Sequence, residues 1–285
     1  MKFYHIFILR QQLIFDFLPF YHYTVSMATI YSITNQKGGV GKTTTCLCLG
    51  SALAEKGYRV LLIDFDPQAG LTVCLGFDPD CFPTTIYDVI INSEQYPLQK
   101  IITDTRVLNL KIAPANLDLA GAEGELIGEI GWDRNLRDAI NPIKNEFDFI
   151  FIDCPPSLGV LTTNALISAH TVIVPVQTEF LALRGLKQLG DIIAKVKKKG
   201  NPSLRKRILR TMHDVRTLHS KEVVEELERI FPDEIFKTII KRTVKFADAS
   251  LAGVPILLYA KSSEAAEAYR HLAEEVIEDA KETVS

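Results

Sequence analysis

From Met27 onward, short apolar runs alternate with longer stretches whose apolar positions recur every three or four residues. Residues 28–34, 59–64, 108–113, 147–153, 171–176, 207–211 and 235–240 read as strands. Val60-Leu61-Leu62-Ile63 and Phe149-Ile150-Phe151-Ile152 are continuously apolar rather than alternating, as strands buried on both faces of a parallel sheet are. Residues 42–56, 162–169, 183–199 and 221–230 read as helices. Strand and helix in alternation predict an α/β fold: a doubly wound, mostly parallel sheet with helices on both faces. No internal repeat, low-complexity tract or long linker interrupts residues 27–285, so one domain is expected. Such sheets bind ligands beyond the carboxyl ends of their strands, and the chemical residues are expected there.

Composition changes this picture in three places. Across 285 residues, 47% apolar and 24% charged content excludes collagenous, disordered and membrane-spanning classes for the bulk of the chain. The net charge is only −3, but residues 184–245 carry 17 Lys/Arg against 8 Asp/Glu, leaving the remainder acidic. Such a local field matters more to a polyanion than the total does. The five cysteines (Cys46, Cys48, Cys74, Cys81, Cys154) form no CxxC and lie in apolar runs, which reads as reduced, buried thiols. The six histidines show no metal-ligand spacing. Residues 1–26 hold eight aromatics and only Lys2, Arg10 and Asp16 as charges. Arg10-Gln11-Gln12 and Asp16 break the run too often for a signal peptide or a membrane span. Translation from Met27, with residues 1–26 an over-called start, is the expectation, and an interfacial anchor is its rival.

Directly after the first strand stands Lys37-Gly38-Gly39-Val40-Gly41-Lys42-Thr43-Thr44. Glycines let the backbone curl until successive N–H groups face one phosphate, and the next helix adds its positive end. In a P-loop of this kind Lys42 reaches the β- and γ-phosphates and Thr43 sets a hydroxyl on Mg²⁺. The ordinary pattern begins with glycine where this chain has Gln36, and Lys37 is an additional cation. Asp64 and Asp66 close the second strand, and Asp153 closes the run Phe149–Asp153. A carboxylate at a buried strand tip is unfavourable unless a cation attends it, so the three point to Mg²⁺ and an attacking water.

Together these residues resemble the ParA/Soj family of DNA-partitioning ATPases, within the deviant-Walker-A, MinD-like class. The resemblance runs from Ala28 to about Val276 and includes Asp153-Cys154-Pro155-Pro156-Ser157-Leu158, Val174-Pro175-Val176-Gln177-Thr178-Glu179 and Thr211-Met212-His213-Asp214-Val215-Arg216-Thr217. It implies an ATP-sandwich homodimer with ATP and Mg²⁺ as cofactors. Gly38, Gly39, Val40, Gly41, Lys42, Thr43 and Thr44 would bind nucleotide, with Met212 and Arg242 near the base. Lys37 would be the signature lysine reaching the partner's ATP, Asp66 would position the hydrolytic water, and Asp153 would hold Mg²⁺ through its water shell. Asp64 is a lesser metal-side candidate. The implied partners are non-specific double-stranded DNA and a ParB-like, centromere-binding activator, in a cytoplasmic, nucleoid-associated protein that partitions chromosome or plasmid DNA.

Arg216, Arg242 and Lys245 match cations that relatives use on DNA, and rank above the run from Lys195 to Arg210. The chain departs from the family in Ile240-Lys241-Arg242-Thr243, in Gly253-Val254-Pro255 and at His213, which touches the expected adenine contacts. The alternative is a MinD-like, membrane-cycling or cargo-positioning ATPase. Residues 264–285 argue against a lipid surface, holding seven acids against Arg270 and Lys281. An electron-transfer ATPase would need cluster-bridging cysteines on glycine-rich loops, which Cys46, Cys48 and Cys154 do not supply.

Overall fold

The computed structural model describes residues 27–179, 182–214 and 218–284. Residues 1–26 and the candidate DNA contact Arg216 lie outside them. Eight strands form one sheet: β1 (Thr29–Ile33), β2 (Val60–Asp64), β3 (Thr103–Asp104), β4 (Leu110–Ala113), β5 (Phe149–Asp153), β6 (Thr171–Gln177), β7 (Arg205–His213) and β8 (Ile235–Lys241). Their order is β3-β4-β2-β5-β1-β6-β7-β8. All neighbours are parallel except the short β3, which runs antiparallel to β4. The sheet is the doubly wound, mostly parallel α/β arrangement that the pattern predicts.

The continuously apolar strands serve two cores. Ile30, Leu61, Ile63, Ile150, Ile152 and Val172 face one layer, and Tyr31, Ile33, Val60, Leu62, Phe149 and Phe151 face the other. Successive strand side chains point to opposite faces, so a strand with helices on both sides has no polar position to alternate with. On the second face Tyr31 stacks on Phe151 with centroids 5.3 Å apart.

The helices are α1 (Lys42–Glu55), α2 (Gly70–Cys74), α3 (Ile86–Ile91), α4 (Leu119–Leu126), α5 (Asn135–Ile140), α6 (Val160–Ser168), α7 (Ala182–Lys199), α8 (Leu218–Ile230), α9 (Lys245–Leu251), α10 (Ile256–Tyr259) and α11 (Glu264–Val284). Helices α3 to α8 cover the first face, and α1, α2 and α9 to α11 cover the second.

Two expectations are corrected, and one strand is added. Strand β7 extends past 207–211 at both ends, because polar ends stay in the ladder: Arg205 pairs with Thr171 of β6 and His213 with Lys241 of β8. The charges there are met from α11, where Asp279 is 2.9 Å from Arg205 and 3.5 Å from Arg207. Strand β3 has two polar residues and no pattern to announce it. Cys46, Cys48 and Cys154 are buried thiols, but Cys74 is half-buried and Cys81 is exposed, in a surface turn next to Asp78.

Edge strand β8 is covered by α11. Glu275 accepts hydrogen bonds from the backbone N–H groups of Lys237 (2.7 Å) and Thr238 (2.8 Å). An edge so occupied has fewer free donors for another chain to pair with.

Candidate functional site

The loop between β1 and α1 is built into the sheet from both sides. The Asn35 side-chain amide donates to the Pro175 carbonyl (2.7 Å), and the Thr211 hydroxyl donates to the Val40 carbonyl (2.8 Å). Strands β6 and β7 thereby pin its two ends. Gly39 (φ +72°) and Gly41 (φ +89°) have left-handed backbones, a conformation that disfavours any residue with a Cβ. A Cβ at Gly38, Gly39 or Gly41 would meet nothing within 4 Å. The loop is therefore an open cradle, and bare backbone lines it.

Lys42 opens α1 and is buried. Burial pulls its ammonium pKa down, while Asp153 and Asp66 pull it up. Asp64 and Asp153 are register partners at the tips of β2 and β5, and both are buried. Asp64 is well bonded: its Oδ2 accepts from the Thr72 N–H (2.8 Å) and hydroxyl (2.7 Å), and its Oδ1 from the Asp66 N–H (3.3 Å). Burial still raises its carboxyl pKa to about 6. Asp153 differs, because neither carboxylate oxygen has a hydrogen-bond partner among the described residues. Burial, then the Asp64 charge, hold its pKa well above the usual range; the Asp66 charge adds to the rise, and Thr43 and Lys42 do not reverse it. A buried carboxylate without donors is stable only as the neutral acid or beside a cation.

Asp66 lies two residues past the strand tip, half-buried, and its Oδ1 accepts from the Gln68 N–H at 3.0 Å. Lys37 is half-exposed, and its ammonium donates to Gln177 Oε1 (2.9 Å) and Glu179 Oε2 (2.8 Å) of its own chain. Thr43 and Thr44 are half-buried in the first turn of α1.

A cavity of about 330 Å³ opens beside the loop, lined by Gly41, Thr44, Met212, Arg242, Phe246 and Tyr269 among others. Met212 sits at φ +49°. The departing segment Ile240-Lys241-Arg242-Thr243 forms one wall, so both residues expected near a base do line it. Arg242 and Lys245 are exposed and share a second, smaller cavity with the start of α11.

The basic run separates into two parts. Arg205, Lys206, Arg207 and Arg210 are engaged by Asp279, Glu234, Asp279 and Glu228 respectively. Lys195, Lys197, Lys198 and Lys199 are exposed on the last turns of α7. That helix returns the chain to the start of a parallel strand, so it ends at the amino-terminal ends of the strands, opposite the cradle.

Thr72 and Phe246 lie in no segment that the sequence singles out. Gln177 and Glu179 belong to the matching segment 174–179 and Tyr269 to the matching segment 268–273, but the sequence assigns none of the three a role. A donor for buried Asp64 was the one signal available, and nothing in the sequence marks Thr72 as that donor.

An AAA-domain family model matches residues 28–206. The sporulation initiation inhibitor protein Soj of Bacillus subtilis (strain 168) is 45% identical over 251 residues, 88% of this chain and 98% of its own. The chromosome partitioning protein ParA of Myxococcus xanthus (strain DK1622) is 42% identical over 253 residues, 88% of this chain and 89% of its own. Among solved structures, cobyrinic acid a,c-diamide synthase from Mycobacterium smegmatis with bound ADP and magnesium aligns with TM-score 0.79 and 38% identity, over 90% of this chain and 96% of that one.

Proposed function

This chain belongs to the ParA/Soj family of partitioning ATPases, and on that premise we propose that it is a Mg²⁺-dependent ATP hydrolase whose ATP-bound dimer holds non-specific duplex DNA. In this reading a ParB-like, centromere-binding activator stimulates hydrolysis and releases the dimer, which drives chromosome or plasmid partitioning. The observation that carries it is the convergence of the open cradle, buried Lys42 and the donor-less Asp153 at adjoining strand ends.

The residues fit both ligands. Gly38 to Gly41 turn backbone N–H groups toward a phosphate chain with no side chain in the way, and Lys42 brings its charge from the first turn of α1. Thr43 would offer magnesium its hydroxyl and Asp153 would hold the ion through its water shell, so that Asp153 would lose its isolation on acquiring a cation. Magnesium, when bound, neutralises charge on the transferring phosphate, which is most of what this reaction asks of a catalyst. Asp66, outside the buried pair and nearer solvent, orients the attacking water; the new P–O bond forms as the β–γ bridge breaks, leaving ADP and phosphate. Asp64, already bonded to α2, has less freedom to serve the metal than Asp153. Lys37 is held by Gln177 and Glu179 in the single chain and would exchange them for the partner's phosphates on dimerisation.

Among the described residues nothing favours the membrane-cycling alternative; residues 1–26, the rival interfacial anchor, lie outside them. No helix among the described residues is long and apolar enough to cross a membrane. Helix α11 is acidic along its length, the wrong charge for anionic lipid.

The test is binding to random-sequence duplex DNA with ATP, ADP or no nucleotide across a salt series. Wild type should bind only with ATP and lose affinity steeply as salt rises. The Arg216→Ala/Lys245→Ala variant should bind at least about tenfold more weakly. Arg242 is left intact in it because that residue also lines the nucleotide cavity. An ATP-dependent dimer with no affinity for DNA would overturn the DNA-binding reading.

A further inference from the structure

The loop that carries Asp66 is closed at its base by one carboxylate. Asp64 ends β2, and Thr72 lies eight residues on, inside α2; both are fully buried. Asp64 Oδ2 accepts from the Thr72 N–H at 2.8 Å and from its hydroxyl at 2.7 Å. The same hydroxyl oxygen accepts from the Ala115 N–H at 3.2 Å, which ties in the chain leaving β4. Within the loop, the Ala69 N–H donates to the Asp66 carbonyl (2.8 Å) and the Gln68 N–H to Asp66 Oδ1 (3.0 Å). Asp64 Oδ1 reaches back to the Asp66 N–H at 3.3 Å. At the far end, a Cβ on Gly70 would lie 3.8 Å from both Thr43 Oγ1 and Thr43 Cγ2, so the first turn of α2 faces the P-loop threonine across the space of one methyl group.

We propose that Thr72 is a positioning residue: with Asp64 it forms a buried staple that holds Asp66 and the start of α2 in register with Thr43. The inference rests on the ATP-hydrolase reading, in which Asp66 orients the water. A hydroxyl has one donor and two acceptor sites, and Thr72 uses both kinds, outward to Asp64 and inward from Ala115. Valine has the same shape and neither capacity. In Thr72→Val the carboxylate loses one donor, and the buried Ala115 N–H loses its acceptor. Thr72 touches neither phosphate nor water in this scheme; it acts through the placement of Asp66.

The experiment uses the full chain with Thr72→Val, Thr72→Ser and Asp66→Ala. In nucleotide-free protein, amide hydrogen exchange across residues 65–72 should accelerate about tenfold in Thr72→Val, with β1 and β5 unchanged. In steady-state ATP hydrolysis, kcat should fall about tenfold while KM stays within about twofold, because the placement of the water is disturbed and the cradle is not. Thr72→Ser keeps the hydroxyl and should restore both readouts. A folded Thr72→Val with unchanged exchange and kcat overturns the proposal. So does a folded Thr72→Ser as impaired as the valine variant, which also covers the case of a valine variant loosened throughout. Asp66→Ala separates the two levels. Normal turnover there, beside altered exchange in Thr72→Val, overturns the role given to Asp66 and leaves the staple. A dead Asp66→Ala beside a wholly normal Thr72→Val overturns the staple alone.

Discussion

Asp153 and Asp64 occupy adjacent strand tips and solve burial differently. Asp64 collects three donors within the chain, and Asp153 collects none among the described residues. Both carboxyls are held above their ordinary pKa, Asp64 at about 6. The folded chain therefore keeps protons that the unfolded chain has already released, and the stability these groups contribute falls as pH rises. For Asp64 that window runs from about 4, the unfolded value, to about 6; for Asp153 it extends upward from the same start. Asn at 153 has no proton to lose. In EDTA and without nucleotide, Asp153→Asn should raise Tm at pH 7.5 by about 2–6 °C, with the gain shrinking toward pH 4. Thermal unfolding across that range checks it, and a lowered Tm at pH 7.5 would mean that the carboxylate is satisfied in the folded chain. The three acidic positions were legible because each closes or follows a buried strand; which of them is bonded and which is not depended on how the turn from β2 into α2 folds back on Asp64.

Helix α11 is the element whose sequence misleads most. Its seven acids read as a charge that anionic lipid repels, yet Asp279 is buried and lies against Arg205 and Arg207 of β7 and the Tyr31 hydroxyl of β1. Burial raises the Asp279 carboxyl despite both arginines, so the cluster yields little net stability. Breaking it is another matter, because it would leave two half-buried guanidinium groups short of a partner. Asp279→Ala should lower unfolding stability by about 2–3 kcal/mol, below the range for a fully buried pair because Arg205 keeps some solvent. Lys56→Ala, which breaks the exposed pair with Glu274, should change it by less than about 1 kcal/mol. Urea titrations of the two variants test this, and equal shifts would show that the α11 cluster is no more than a surface pair. The same long-range dependence bears on β7: its charged start looks like loop in sequence, and in the strand Arg205 and Arg207 find their counter-charge on α11 and Lys206 on Glu234.

Across the whole molecule, the α/β crossover divides the basic segment. Helix α7 must carry the chain back across the sheet to start parallel β7, so Lys197, Lys198 and Lys199 lie at the amino-terminal ends of the strands, away from the cradle. Arg242 and Lys245 follow the end of β8 and stay beside it. A DNA surface that responds to bound nucleotide belongs beside the nucleotide. The Lys197→Ala/Lys198→Ala/Lys199→Ala variant should therefore keep ATP-dependent DNA affinity within about threefold of wild type, less than the loss expected from removing phosphate contacts at the proposed surface. Fluorescence anisotropy at fixed salt would measure it. A loss as large as that of Arg216→Ala/Lys245→Ala would move the surface to the amino-terminal ends of the strands.

The sequence by itself determined the architecture and the chemistry of the cradle. Both rest on local relations: two-faced burial leaves continuous apolar runs, and the glycines, Lys42 and Thr43 are consecutive because one turn and one helix start present them together. Sheet order, the pairing of Asp64 with Asp153, the donor that Thr72 supplies to Asp64, and the engagement of Arg205 to Arg210 by distant acids were decided only by the tertiary structure. Each of these joins residues from separate elements, and hydrogen bonds and ion pairs leave no periodicity along the chain. Packing alone brings the partners within reach, and so it alone decides which charges remain free to meet a ligand.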